Sequence, residues 1–185
     1  MSAERSAERV LASVVRWIER ELKLPVNRAK SGTGRPWERQ MLGFRLLEEG
    51  TIAIAPKSLE RYQQEVRRLW DARQSLTSQE LVQQWQRFLV GWWNYFQLAD
   101  VRQALLRLDG WVRRHMRKCF WLRWHDRKGR RKALQRLGAS PRHLKAASSR
   151  VGAWRMARSP ILQSVLANRV LRRYGLLVPS DLAAA

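Results

Sequence analysis

From residue 58 to residue 175 the sequence repeats one device. An apolar pattern at helical spacing is opened by a capping residue, twice with a proline behind it, and towards the end of the chain closed by a glycine. Ser58 can cap a helix carrying Leu59, Tyr62, Val66, Leu69 and Trp70. Thr77 and Glu80 have capping-box spacing, in which hydroxyl and carboxylate satisfy each other's free backbone N–H groups. Behind them Leu81, Trp85, Phe88, Leu89, Trp92 and Phe96 follow one side of a helix. Asp100 and Gln103 repeat the device ahead of Val101, Leu105, Leu108, Val112, Met116 and Cys119 or Phe120. Gly129 is read as an interruption, and Gly138 as the end of a short basic helix. Ser140-Pro141 and Ser159-Pro160 each place a cap before a proline at the first helical position. Gly175 closes a last helix over 161–174. The pattern predicts a helical domain over 56–178 and a flexible tail over 179–185.

Residues 1–55 read differently. Val10, Leu11, Val14, Ile18 and Leu22 mark an amphipathic helix over 4–24, ended by Pro25. Such a helix is expected to pack on something larger. A positive, turn-rich stretch over 26–37 leads to a hairpin signal. Its arms are 41–47 and 51–55, with Glu48-Glu49-Gly50 as the turn. Two strands alone are marginal in water, so the hairpin must lean on helices or on further strands. The fold class is therefore mainly α, with a small α/β piece in front.

Charge narrows the partners. The chain has 185 residues, with 37 Lys+Arg against 15 Asp+Glu, a formal net charge of +22. It also has ten Trp and is 45% hydrophobic, so it is no disordered basic tail. A folded body this positive points first to nucleic acid and second to an acidic membrane surface. One cysteine excludes an intramolecular disulfide, and no apolar run approaches the roughly 20 residues of a membrane span. The N-terminus carries no signal-peptide apolar stretch, so a cytoplasmic setting is expected.

The densest charge lies over 111–132. Its bases are Arg113, Arg114, Arg117, Lys118, Arg123, Arg127, Lys128, Arg130, Arg131 and Lys132, with Asp126 as the lone acid. Arginine forks match phosphate oxygens, and lysine acts as a mobile point charge. Trp111, Phe120, Trp121 and Trp124 are interleaved; helical spacing makes most of them core, while an exposed one could stack on an unpaired base. Trp93 and Tyr95 fall off the apolar side of their helix and either pack on a neighbour or face a ligand. Trp93, Tyr95 and Trp124 are the base-stacking candidates. A second basic set, Arg28, Lys30, Arg35 and Arg39, flanks Gly32-Thr33-Gly34, which could admit a phosphate but is not a P-loop. A third, Lys57, Arg61, Arg67, Arg68 and Arg73, fits a solvated helix face equally well.

Catalytic signals are weak. His115, His125 and His143 have no partner at metal spacing, and His115 beside Cys119 reads as coincidence. The carboxylates are few and form no two-metal cluster. No cofactor, metal or catalytic residue is expected.

Several stretches carry a resemblance, in order and over nearly the whole chain. They are LKLPVNRAKS (22–31), RPWERQMLGF (35–44), IAPKSLERY (54–62), FLVGWWNYF (88–96) and LDGWVRRHMRKCFWLRW (108–124). RKALQRLGAS (131–140) and VGAWRMARSPILQSVLANRVLRRYGL (151–176) continue the pattern. Together they resemble the C-terminal part of a bacterial group II intron reverse transcriptase/maturase. The resemblance implies that 1–55 is a palm-end remnant, with Leu42, Gly43 and Phe44 in a primer-holding hairpin and Lys30 near the polymerase site. It implies that 56–178 is the thumb or maturase-specific X domain, stabilised by Trp92, Tyr95 and Phe96.

That family polymerises DNA with a Tyr-x-Asp-Asp motif and an upstream aspartate on the palm. This sequence has no Tyr-x-Asp-Asp and lacks the fingers and most of the palm, so it reads as a C-terminal remnant or a split product. The resemblance implies a non-catalytic, RNA-binding maturase fragment that assists intron RNA folding and splicing. Its partner would be structured RNA, group II intron RNA in particular, with no membrane role. The RNA-binding candidates are Lys30, Arg35, Lys57, Arg61 and the ten bases over 111–132. The alternatives are a polymerase fragment active only with a separate palm/fingers polypeptide, a non-functional remnant, and a generic basic DNA-binding module.

Overall fold

The computed structural model of the chain describes residues 2–100 and 102–184, without the side chains of residues 2 and 102–104. Val101 and the Gln103 half of the Asp100–Gln103 pairing lie outside them. The chain divides into two compact units, Met1–Ala55 and Pro56–Ala185.

In the first unit, helix α1 covers Ser2–Glu21. Its Val10, Val14 and Trp17 are exposed, as is Leu22 beyond its end. After a 3-10 turn at Pro36–Glu38 come three short antiparallel strands in the order β1 (Gln40–Met41), β2 (Phe44–Leu46) and β3 (Ile52–Ile54). The expected hairpin is β2–β3, with Phe44 opposite Ile54 and Leu46 opposite Ile52. Its turn closes through Leu47 N–H to Thr51 O (2.7 Å) and Gly50 N–H to Leu47 O (3.0 Å). β1 is an addition that sequence reasoning missed. It joins β2 through Leu42 and Gly43, both at positive φ (52° and 81°), as a two-residue primed turn requires.

The second unit is helical. Helix α2 covers Pro56–Leu69, so the proline opens it and Ser58 lies buried inside rather than at the cap. Helix α3 (Ser78–Phe96) has the full reciprocal cap. Thr77 Oγ1 accepts from Glu80 N–H (3.2 Å), and the Glu80 carboxylate accepts from Thr77 N–H (2.7 Å). Helix α4 is Arg102–Arg123 and α5 is Arg127–Arg136. The break between them falls at Trp124-His125, where His125 has φ +51°, and not at Gly129. Gly129 sits in the first turn of α5 and donates its N–H to the Asp126 cap (2.7 Å). It must be glycine, because a Cβ there would meet the Trp124 carbonyl oxygen at 2.3 Å.

Short helices then wrap the bundle: α6 (Pro141–Leu144), α7 (Ala153–Ala157), α8 (Pro160–Val165), α9 (Asn168–Arg173) and α10 (Pro179–Ala183). The single helix expected over 161–174 is two, because the chain turns at Leu166-Ala167 and its backbone leaves helical geometry there. Gly138 and Gly175 do end their helices, each with φ +74°. The tail is not frayed over 179–183. There α10 packs on α3 and α4, and Asp181 is buried beneath two arginines.

The core joins α2, α3 and α4 through aromatic rings. Tyr62 lies 4.5 Å from Trp92, and Trp70 lies 5.6 Å from Trp85 and 6.0 Å from Phe120. Each such pair adds about 0.5–1.5 kcal/mol beyond area burial. Two long-range bonds tie α3 to the C-terminal segment. Trp85 Nε1 donates to Leu177 O (2.8 Å), and Gln86 Nε2 donates to Gly175 O (3.0 Å). No helix among the described residues is long and apolar enough to cross a membrane.

Candidate nucleic-acid interface

The structure sorts the ten bases over 111–132 into two groups. The first group is built into the fold. Arg117 is buried, only 7% exposed, and burial pulls its pKa below the usual arginine value with Arg113 adding to the effect. Its Nε donates to Leu166 O (3.0 Å) and its guanidinium to Asn168 Oδ1 (3.2 Å). Arg117 therefore locks α4 to the α8–α9 turn, and its assignment to RNA contact is corrected. Arg113 reaches the buried Asp181 carboxylate at 3.4 Å, a carboxylate it shares with Arg172 at 2.6 Å. Arg123 donates to Gln74 O (3.2 Å) and to Leu76 O, holding the segment ahead of the α3 cap. The Arg130 guanidinium sits 4.5 Å from the Trp121 ring and donates to Ser149 O (3.5 Å). Lys118 and Arg114 are half-buried, the first 5.9 Å from the Trp154 ring and the second bonded to Gly110 O (3.1 Å).

The second group is free. Arg127, Lys128, Arg131 and Lys132 are exposed on α5 and take no carboxylate or carbonyl partner among the described residues. Arg136, which sequence reasoning did not single out, continues the row at i+4 from Lys132 and is also exposed. The opposite side of α5 buries Ala133 and Leu134. This arrangement works against the helix. Arg127 and Lys128 place positive charge at the positive end of the helix dipole. The i,i+4 pairs Arg127–Arg131, Lys128–Lys132 and Lys132–Arg136 carry like charge. Among the described residues, only the Asp126 cap offsets this repulsion.

The other candidates are dispersed. Lys57 and Arg61 are exposed on α2, while Arg67 lies 5.3 Å from the Trp111 ring and Arg68 pairs with Glu65. In the first unit, Lys30 and Arg35 are exposed, with Arg35 5.6 Å from the Trp37 ring. The Gly32-Thr33-Gly34 loop is filled by Arg39, whose guanidinium donates to Thr33 O (2.5 Å). A Cβ on Gly34 would lie 2.7 Å from Arg39 Nε, so the loop closes on its own side chain and not on a phosphate. Of the stacking candidates, Tyr95 is exposed with its ring edge-on to Phe96, and Trp93 is half-buried. Trp124 is half-buried and lines a cavity.

Two reactive side chains are quenched by burial. The Cys119 thiol is pushed up to about 11 and stays protonated at neutral pH. The His115 ring lies 4.3 Å from Trp111 and 4.9 Å from Trp154, and its Nδ1 has no hydrogen-bond partner. Burial, reinforced by Lys118, Arg67 and Arg114, lowers its pKa from 6.5 to about 4. The fold thus holds the neutral imidazole, and the unfolded chain binds the proton more readily. His115 stability is complete above pH 6.5 and drains as pH falls toward 4, a loss of about 3 kcal/mol. Buried Asp109, whose pKa burial raises against the pull of Ser180 and Arg113, has the opposite pH trend. Comparison with His115→Phe isolates the histidine. Denaturation at pH 7 and pH 4.5 should show a smaller acid loss in the variant, and equal losses would contradict the assignment.

No curated protein matches the chain. Residues 59–138, which include α5, match the family model of the group II intron, maturase-specific domain, and this helical stretch is similar to that domain.

Proposed function

We propose that the chain binds structured group II intron RNA, chiefly through the exposed cations of α5, and assists its folding without performing chemistry of its own. The observation that carries this reading is the uncompensated row Arg127, Lys128, Arg131 and Lys132 inside the maturase-specific match. The intron RNA carries out its own transesterifications. A cationic helical surface lowers the phosphate repulsion between RNA helices that must pack, and it reads them by shape more than by sequence. Lys57, Arg61 and Arg136 extend the phosphate-facing set within the same unit. Lys30 and Arg35 add contacts from the first unit.

The sequence contains no Tyr-x-Asp-Asp, so the chain with Mg²⁺ and deoxynucleotides is expected not to extend a primer. The test is a splicing assay on a group II intron RNA encoded beside this chain, at a Mg²⁺ concentration where the RNA alone splices slowly. Added chain should raise the fraction of spliced RNA. An unchanged fraction at saturating protein would overturn the reading.

A further inference from the structure

A cavity of about 420 Å³ opens where the start of α3, the end of α4, α5 and the segment after α9 meet. It falls in the range of roughly 300–1,000 Å³ typical of small-ligand clefts. Val82, Phe120 and Leu137 give it apolar walls, and Trp124 and Tyr174 add two aromatic rings. Polar groups are few: among them are the side chains of Gln79 and Arg136.

We propose that this cavity takes a single unpaired nucleobase from an RNA held on α5. The inference rests on the RNA-binding reading above and adds a ligand class and a second site to it. Two features favour a nucleotide over an apolar protein segment. Arg136 belongs both to the cavity and to the cationic row, so a phosphate beside the base meets charge already in place. Lys132 lies one turn before it on the same face of α5. The aromatic wall is also preset. Trp124 stands edge-on to the Trp121 ring at 6.0 Å, and Trp121 is itself buried beside the Arg130 guanidinium. The close approach of Trp124 and Gly129 fixes the turn that carries it. Tyr174, which also lines the cavity, is 56% exposed and so offers ring surface to an entering base. Stacking of this kind is sequence-tolerant, because every base offers a π-face, and the Gln79 amide can hydrogen-bond a base edge.

The test uses two RNA hairpins, identical except that one carries a single bulged adenine. Wild-type chain should bind the bulged hairpin about tenfold more tightly at the same salt concentration, as one added base–aromatic stack would give. Tyr174→Ala should bring the bulged hairpin to the affinity of the paired one and leave the paired one unchanged. Tyr174→Phe should keep the preference. With 2-aminopurine in the bulge, the change in its emission on binding should be lost in Tyr174→Ala. Measurable but equal affinity for the two hairpins would overturn the proposal, leaving the cavity to an apolar protein partner and RNA binding intact. Failure of both hairpins to bind would overturn the RNA-binding reading itself, and the cavity's role with it.

Discussion

Replacing Arg117 with alanine is expected to lower the stability of the folded chain by about 3 kcal/mol. The substitution removes two charge-assisted hydrogen bonds, to Leu166 O and Asn168 Oδ1, and leaves those acceptors facing a void. It also frees the α8–α9 turn from α4. Chemical denaturation should show the midpoint falling with little change in slope. Arg131→Ala, a change of the same chemistry at an exposed site, should stay within about 0.5 kcal/mol of wild type. A loss for Arg117→Ala no larger than that of Arg131→Ala would mean that Arg117 does not lock the fold. The consequence for function is direct. A combined Ala substitution at Arg113, Arg114, Arg117 and Lys118 would report on folding before it reported on RNA.

The combined substitution of Arg127, Lys128, Arg131 and Lys132 by alanine should behave in the opposite way. Affinity for structured RNA should fall on the order of a hundredfold at about 0.1 M salt, with the salt slope flattened by about 3. Thermal stability should not fall, because the variant relieves like-charge pairs and removes cations from the wrong end of a helix dipole. A filter-binding titration beside a thermal melt separates the two effects. Unchanged affinity in a folded variant would remove α5 from the interface.

The difference between these two arginine sets explains what the sequence could and could not disclose. The α3 cap was legible, because Thr77 and Glu80 act on backbone groups only three residues away. The β2–β3 hairpin was legible for the same local reason, through Gly50. The β1–β2 turn was not, because Leu42 takes a left-handed conformation that leucine seldom adopts and that no turn signal announces. Arg117 was misread because α4 is covered on more than one side. An amphipathic pattern shows one buried face, whereas α7 and the α8–α9 turn supply a second cover from 30 or more residues away. The tail was misread for a similar reason. Asp181 looks idle in SDLAAA, yet in the fold it takes Arg113 and Arg172 and the Val178 N–H (3.0 Å). Basic density alone treats these bases alike. Only the tertiary fold distinguishes Arg117 from Arg131, since both are arginines in a basic helix and one of them meets Leu166.

The cationic row of α5 is the centre of the functional account, and counterion release measures it most directly. Binding of the wild-type chain to structured RNA should be followed from about 50 to about 200 mM KCl. The account predicts a straight fall of log affinity against log salt, with a slope of about −3 or steeper. An affinity that holds constant across that range would contradict it, because a surface that releases no counterions is not engaging phosphates.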